Sequence, residues 1–141
     1  MANGGAQGWY EFRNDGHAYT NGAWHSSSDA RMKTQVEKID NAFEKLNRIS
    51  GYTYLKQGVS EAGVIAQEVE AVLPQTVSRT EVILNDGRVL KDALSLNING
   101  VVALLVEALK EEHQALIQEQ EARQSFEQRL AALEERVGRE G

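Results

Sequence analysis

The amino-acid sequence predicts an α+β fold, in which short strands and two short helices precede one long C-terminal helix. The triplet Asn-Asp-Gly occurs at residues 14–16 and again at 85–87, and each copy separates two segments rich in β-forming residues. Such a triplet favours the tight turn of a β-hairpin. From about Asn99 onwards, apolar residues recur with a heptad spacing and without proline, which is typical of a long helix in a coiled coil.

Aromatic and β-branched residues mark the predicted strands. Trp9–Arg13 and His17–Thr20 flank the first turn and form one hairpin, and a second hairpin brackets the turn at 85–87. An isolated hairpin is marginally stable in water, so these strands need partners. The predicted strands are 9–13, 17–20, 51–56, 81–84 and 88–90, with 94–98 as one more strand or an extended lead-in to the last helix.

Two short helices are predicted between the hairpins. The first spans 34–49, where apolar residues recur at spacings of three and four. Thr34 or the pair Ser28–Asp29 is its predicted N-cap, and Gly51 is its predicted stop. The second is the apolar segment before Pro74, the single proline of the chain, which ends it. The apolar stripe of the first helix consists of Val36, Ile39, Phe43, Leu46 and Ile49.

The long helix has a readable heptad register with an interrupted seam. Its ends are apolar, whereas charged residues occupy core positions in its middle. A helix this long and this polar is hard to keep isolated, so a multi-stranded coiled coil or bundle is favoured over a solvated helix packed on its own domain. The sequence does not fix the number of strands. One core position holds Val102, Leu109, Leu116, Arg123, Leu130 and Val137, and the other holds Leu105, Glu112, Glu119, Phe126 and Leu133.

Composition and charge argue against several classes of function. A net charge of −6 over 141 residues disfavours a general nucleic-acid binder, which would present a basic face. The absence of cysteine excludes disulfides and thiol catalysis, so packing or oligomerisation must supply stability. The three histidines are far apart and lack metal-ligand spacing, and we expect no cofactor. No apolar run approaches the roughly 18 residues of a membrane span, so no membrane partner is expected.

The run Ser28-Asp29-Ala30-Arg31-Met32-Lys33 carries the candidate chemistry. A serine hydroxyl and a lysine amine can perform acyl chemistry without histidine, provided that the amine is neutral when it takes the proton. The alternative is a flexible polar linker, in which Ser28 and Asp29 cap the next helix. Three serines stand in succession at 26–28, and only the spacing to the rest of the run singles out the third.

The order of motifs extends this interpretation to most of the chain. After the Ser/Lys run come Ile39-Asp40-Asn41-Ala42, then Gly63-Val64-Ile65-Ala66-Gln67-Glu68-Val69, then the long helix around 104–111. Over about residues 24–137 this order resembles the endosialidase-type intramolecular chaperone domain. That family is the self-cleaving trimerisation module at the C-terminal end of many phage tail spikes and fibres. The resemblance implies a homotrimer through the C-terminal coiled coil.

The resemblance also implies roles for the residues of the run. Ser28 would be the nucleophile of an autoproteolytic serine endopeptidase, Lys33 its general base, and Ser27–Ser28 the bond that is cut. Asp29 and Arg31 match the motif as well, and we expect them to hold the loop by hydrogen bonds or an ion pair. The oxyanion stabiliser stays open between a backbone N–H and a side chain.

Gln67 and Glu68 are the polar members of the second motif. We expect them either to form surface or cap hydrogen bonds, or to contact a neighbouring subunit near the Ser/Lys site.

Cleavage at the predicted bond would divide the chain into a retained and a released part. Residues 1–27 would stay as the β-rich end of the fibre or spike stalk, which is the implied folding client. Residues 28–141 would leave as the chaperone, with an α+β part at 28–98 and a coiled-coil helix at 99–137. The precursor would assemble in the host cytoplasm, and the fibre would join the virion. Two alternatives stay open: a trimerisation tip that never cleaves, and a related self-cleaving module of a cellular protein.

Overall fold

The computed structural model describes residues 8–13 and 17–141, and the chain divides into two compact units, Met1–Glu37 and Lys38–Gly141. The described part of the N-terminal unit contains a hairpin and a short 3-10 turn. The C-terminal unit contains two further hairpins, two short helices and the long helix. This order of elements confirms the predicted α+β class.

In the N-terminal unit, β1 (Tyr10–Phe12) pairs with the antiparallel strand β2 (Ala18–Thr20). The ring of Trp24 lies 5.6 Å and 6.5 Å from the rings at the two ends of β1. Contact between aromatic rings therefore supports one face of this ribbon. The hairpin confirms the predicted one, whose turn at 14–16 lies outside the described residues.

Two antiparallel hairpins form the β-structure of the C-terminal unit. The strand β3 (Gly51–Lys56) pairs with β4 (Val59–Val64), and β5 (Val77–Ile83) pairs with β6 (Val89–Leu96). The second pair confirms the hairpin predicted around the later Asn-Asp-Gly turn. The segment at 94–98 is not a separate strand, because β6 extends through most of it.

Strand β4 is absent from the sequence prediction. Its residues Val59-Ser60-Glu61-Ala62-Gly63 lack a run of β-branched and aromatic side chains. The turn before it places Gln57 at φ 50° and Gly58 at φ 89°. Two successive left-handed residues build the two-residue turn that suits a hairpin, and asparagine or aspartate usually precedes the glycine. Because residue 57 is glutamine, the sequence lacks the usual signal for this turn, and the hairpin was not predicted.

The second and third helices agree with the sequence. Helix α2 spans Ala66–Val72 and ends before Pro74, which opens a 3-10 turn. Helix α3 spans Ile98–Glu140 and is the predicted long C-terminal helix. Within the described part of the chain, no helix combines the length and the apolarity needed to cross a membrane.

The helix predicted over 34–49 is wrong in its first half, because only α1 (Ala42–Leu46) is helical there. Gln35 has a φ of 51°, and Asn41, which takes the place of the predicted cap Thr34, has a φ of 45°. Left-handed residues interrupt a right-handed helix. The predicted stop at Gly51 is also wrong, since α1 ends at Leu46 and its C-cap is Asn47. Gly51 begins β3, as the predicted strand at 51–56 required.

Helices α1 and α3 meet in the core of the C-terminal unit. The Glu111 carboxylate on α3 accepts hydrogen bonds from the backbone N–H groups of Phe43 at 2.8 Å and Ala42 at 2.9 Å. These two hydrogen bonds lower the pKa of Glu111. Because the first N–H groups of a helix lack partners within it, Glu111 supplies the cap that the Asn41 side chain does not. One cluster of the core consists of Ala42, Leu104 and Ala108, with Ile39, Leu46, Ile49 and Leu73 packed against it. Val69, Val72 and Val101 are buried as well.

Within the part of its unit that the structure describes, only the first turns of α3 pack against other elements. Its buried residues are Val101, Leu104 and Ala108, and no later residue of α3 is buried among the described residues. The apolar side chains of the predicted seam lie on another face of the helix, where their exposed fractions range from 45% at Leu130 to 71% at Val137. The seam therefore has no partner among the described residues of its own unit.

Gly100 allows α3 to approach the buried residue Thr76. A Cβ at position 100 would lie 2.1 Å from Thr76 Oγ1, and Thr76 is only 6% exposed, so it has no room to withdraw. We expect Gly100→Ala to lower the free energy of unfolding by about 1–3 kcal/mol through overpacking. Urea denaturation measures this change.

Gly138→Ala is the matched control, because it makes the same substitution in the same helix where no atom lies within 4 Å of the new Cβ. Alanine should leave stability unchanged there or raise it by up to about 1 kcal/mol. Equal stability of Gly100→Ala and wild type would contradict the tight contact.

Candidate active site

The Ser/Lys pair lies on a short 3-10 turn in the N-terminal unit. The turn spans Ala30–Met32, and the Lys33 N–H donates a hydrogen bond to the Ala30 carbonyl at 3.0 Å. Ser28 and Lys33 therefore stand on either side of a single turn. Lys33 Nζ lies 2.7 Å from Ser28 Oγ, which is a hydrogen bond within reach of direct proton transfer.

An ion pair between Asp29 and Arg31 closes this turn. Asp29 accepts the Arg31 backbone N–H at 2.8 Å, and the Arg31 side chain reaches the two carboxylate oxygens at 3.0 Å and 2.7 Å. The Arg31 side chain and backbone N–H lower the pKa of Asp29, and Asp29 raises the pKa of Arg31. A bidentate pair is specific in its geometry, so it fixes the backbone between Ser28 and Lys33. Asp29 thus caps the 3-10 turn and not α1.

The hydrogen bond with Lys33 distinguishes Ser28 within the serine run at 26–28. Ser28, Asp29, Arg31 and Lys33 are all exposed to solvent. A lysine can act as a general base only in its neutral form, which burial away from water favours. The described residues therefore supply the proton-transfer contact without the dry surroundings that would activate it.

Gln67 and Glu68 lie on α2 in the C-terminal unit. Glu68 accepts the Tyr52 hydroxyl at 2.6 Å and the Ser50 backbone N–H at 2.9 Å. The Tyr52 hydrogen bond, followed by that of Ser50, lowers the pKa of Glu68. Glu68 therefore ties α2 to the start of β3. Gln67 is exposed and lines an open groove between the two hairpins of this unit.

The sequence analysis did not predict a role for Tyr52, which contacts the predicted site residue Glu68. Its hydroxyl meets a carboxylate 16 residues further along the chain. The strand that carries it is visible in the sequence, but no local pattern pairs a strand tyrosine with a helix glutamate. Among the described residues, no group of histidine, aspartate and glutamate side chains is arranged to hold a metal ion.

Comparison with known proteins identifies the segment that holds this turn. Residues 28–78 match the model of a peptidase family described as "Chaperone of endosialidase". This match confirms the resemblance predicted from the sequence, and it begins at Ser28, the predicted nucleophile.

Three relatives are long tail fiber proteins named Gp37. That of Escherichia phage AR1 is 44% identical over 94 residues, which cover 60% of this chain and 8% of the relative. That of Salmonella phage S16 is 44% identical over 93 residues, covering 59% and 12%. That of Enterobacteria phage M1 is 36% identical over 116 residues, covering 72% and 44%. The chain thus spans less than half the length of each of these relatives.

The Glu68 hydrogen bonds make stability depend on pH. The pKa of Glu68 in the folded state lies below its ordinary value of 4.5, so its contribution is present above that value and is lost as pH falls through the folded pKa. We expect Glu68→Gln to lower the urea midpoint at about pH 7. The variant should also lose less of its remaining stability than wild type between about pH 5 and pH 3.

Glu121→Gln removes the same charge from an exposed position on α3 and serves as the control. Its urea midpoints should follow those of wild type at each pH. Identical acid dependence in wild type and Glu68→Gln would contradict the stabilising role of this carboxylate.

Proposed function

We propose that this chain is an intramolecular chaperone of a phage tail fibre or spike, which forms a homotrimer, assists folding of that protein and then releases itself. Release would occur by autoproteolysis at Ser27–Ser28, with Ser28 as nucleophile and Lys33 as general base. The observation that carries the proposal is the 2.7 Å contact between Lys33 Nζ and Ser28 Oγ, inside the segment that matches the chaperone family. The tail fiber relatives support a fibre as the folding client.

The proposed reaction begins with transfer of the Ser27 acyl group from nitrogen to oxygen. The neutral Lys33 amine takes the proton of Ser28 Oγ as this oxygen attacks the Ser27 carbonyl carbon. The C–N bond between Ser27 and Ser28 then breaks, and the Ser28 nitrogen receives the proton from Lys33. Water hydrolyses the resulting ester, which leaves a carboxylate on Ser27 and restores the Ser28 hydroxyl.

The Asp29–Arg31 pair would act as a positioning element for this reaction. It braces the turn through three hydrogen bonds, so the nucleophile and the base meet without a further search of loop conformations. Neither residue needs to exchange a proton in the reaction.

Cleavage would wait for assembly, because Lys33 is exposed in the single chain. Removal of water from around an amine favours its neutral form. In this proposal a neighbouring subunit covers the turn, and Lys33 becomes a competent base only in the assembled protein. The coupling would prevent release of the chaperone before its client has trimerised.

The long helix supports the proposed homotrimer. From 109 to 140, α3 has no buried residue of its own, although its seam carries large apolar side chains. Helices of this kind are stabilised mainly by packing of their apolar face, so parallel copies of α3 would bury the seam together. The number three follows from the resemblance to the chaperone family.

A removable coiled coil answers a folding problem of trimeric fibres. Long β fibres depend on non-local contacts and fold slowly, with exposed edges that invite misassembly. A helical trimer forms from local contacts and holds three chains at high effective concentration, which sets their register first. Departure of residues 28–141 would then remove the reverse path and leave the fibre, with residues 1–27, kinetically stable in the virion.

A trimerisation tip that never cleaves is the second candidate, and the solvent exposure of the Ser/Lys pair favours it. In that case the hydrogen bond between Ser28 and Lys33 would only brace the turn. Fragment mass separates the two candidates.

We expect the purified wild-type chain to separate into residues 1–27 and 28–141, as measured by intact-mass spectrometry over time. Ser28→Ala removes the nucleophile and Lys33→Ala removes the base, and either change should slow cleavage by about 10³-fold or more. Both variants should therefore remain intact over the period in which wild type is cut.

Ser27→Ala and Ser26→Ala are the matched controls, because each removes a hydroxyl from the same serine run and leaves the Ser28–Lys33 contact in place. Both should still be cut before residue 28. An intact wild type that is trimeric by light scattering would reject autoproteolysis and support the trimerisation tip.

We expect cleavage to depend on the coiled coil. Leu116→Glu places a charge in the exposed seam and should give monomers that cleave at least about tenfold more slowly, since hydration of an amine disfavours the neutral form that a general base requires. Gln118→Glu adds the same charge off the seam and should behave as wild type. Light scattering and the rate of fragment formation give the two readouts, and monomers that cleave at the wild-type rate would contradict the coupling.

A further inference from the structure

The last two heptads of α3 carry opposite charges on the two sides of the seam. In the register that places Leu130 at position a, the g positions hold Arg129 and Arg136, and the e positions hold Glu127 and Glu134. These positions flank the apolar core of a coiled coil, and ion pairs between them set partner choice and orientation. The arrangement therefore presents a cationic edge and an anionic edge to a neighbouring helix.

Arg129 and Glu134 have no charged neighbour on their own helix. Side chains interact along a helix at spacings of three and four residues, and at those spacings both residues have only uncharged neighbours. Neither residue forms an ion pair within the described part of the chain, whereas Arg139 and Glu135, on the outer face, pair with each other. Their two charges are thus available to another molecule.

The same segment holds four successive apolar layers with no partner in the described chain. Their exposed fractions range from 45% to 71%. The N-terminal end of the seam belongs to helical turns that also pack against α1 through Leu104 and Ala108. Within the described part of its own unit, the C-terminal end of the seam has no such contact, and all residues from 118 to 140 are exposed there. The four layers are Phe126, Leu130, Leu133 and Val137.

From these observations we propose that residues 126–137 are the segment by which copies of this chain recognise one another, with Arg129 of one copy paired to Glu134 of the next. The inference rests on the homotrimer proposed above and gives it a specificity determinant. A closed ring of three identical interfaces requires parallel helices in register, because an axial offset would not close. Position g then faces position e of the next heptad on the neighbour, five residues further along.

The charge pattern also disfavours an antiparallel assembly. In an antiparallel pair that overlaps over residues 126–137, position g faces g and position e faces e, which would set arginine against arginine and glutamate against glutamate. Like charges in such positions are repulsive. The two edges therefore select parallel copies of this chain as the occupant of the seam.

Charge reversal tests the proposed pair in the full-length chain, with Ser28→Ala present so that the chain stays whole. Arg129→Glu and Glu134→Arg each create three like-charge contacts in a trimer. Each should raise the concentration of half-assembly by roughly threefold to tenfold in sedimentation equilibrium. The double variant Arg129→Glu/Glu134→Arg restores opposite charges between neighbours and should return assembly to near the wild-type value. The effects should shrink in high salt.

Arg139→Glu and Glu135→Arg make the same charge changes on the outer face and should assemble as wild type does. Rescue by the double variant cannot arise within one helix, because residues five apart do not face each other there. The proposed pair would be overturned if the wild type is trimeric but the single variants assemble like the outer-face controls. It would also be overturned if the double variant assembles no better than the single variants. Neither result would contradict the proposed chaperone function. A monomeric wild type would overturn the trimer and this inference together.

The absence of cysteine allows an independent test of orientation. Val137→Cys places one thiol in the proposed seam, where parallel copies bring it next to its equivalents, and mild oxidation should give covalent dimers. Gln128→Cys on the outer face should give few. Equal crosslinking of the two variants would contradict a parallel seam at this end of α3.

Discussion

The packing of α1 on α3 is the contact on which the C-terminal unit depends. Leu104 and Ala108 bury Ala42, and the Glu111 carboxylate accepts the first N–H groups of α1. Ala42 and Glu111 are 69 residues apart, so this contact closes the segment that contains both hairpins and α2. A charged cap that receives two N–H donors holds a five-residue helix that its own propensity would not sustain.

This contact also divides the surface of α3 between two tasks. Up to Ala108, one face of α3 packs in the core of its own unit, and the seam lies on another face. The remaining turns contribute nothing to that core. Few apolar residues are fully buried among those described, so the homotrimer proposed above would add substantial apolar burial. The packing of α1 on one face of α3 therefore explains both where the core lies and why the seam is exposed.

Sequence reasoning succeeded where the signal is local. The Asn-Asp-Gly turns, the helical periodicity of α3 and the stop at Pro74 all act through neighbouring residues, and the structure agrees with each where it describes them. The extent of α1 could not be predicted, because Asn41 adopts a left-handed conformation and its cap comes from a distant glutamate. Strand β4 was not predicted either, since the turn before it has Gln57 in place of the usual asparagine.

The candidate site combines a local geometry with a non-local requirement. The turn at 30–32 and the Asp29–Arg31 pair place the Lys33 amine against the Ser28 hydroxyl using contacts within six residues. That part could be anticipated from spacing, because a short turn brings its two flanks together. The activation of the lysine in the proposed reaction could not be anticipated, since it would require removal of water by groups outside this stretch of chain. In the proposed reaction, the nucleophile and the base are therefore already in contact within one chain, and cleavage would begin only when a neighbouring subunit covers them.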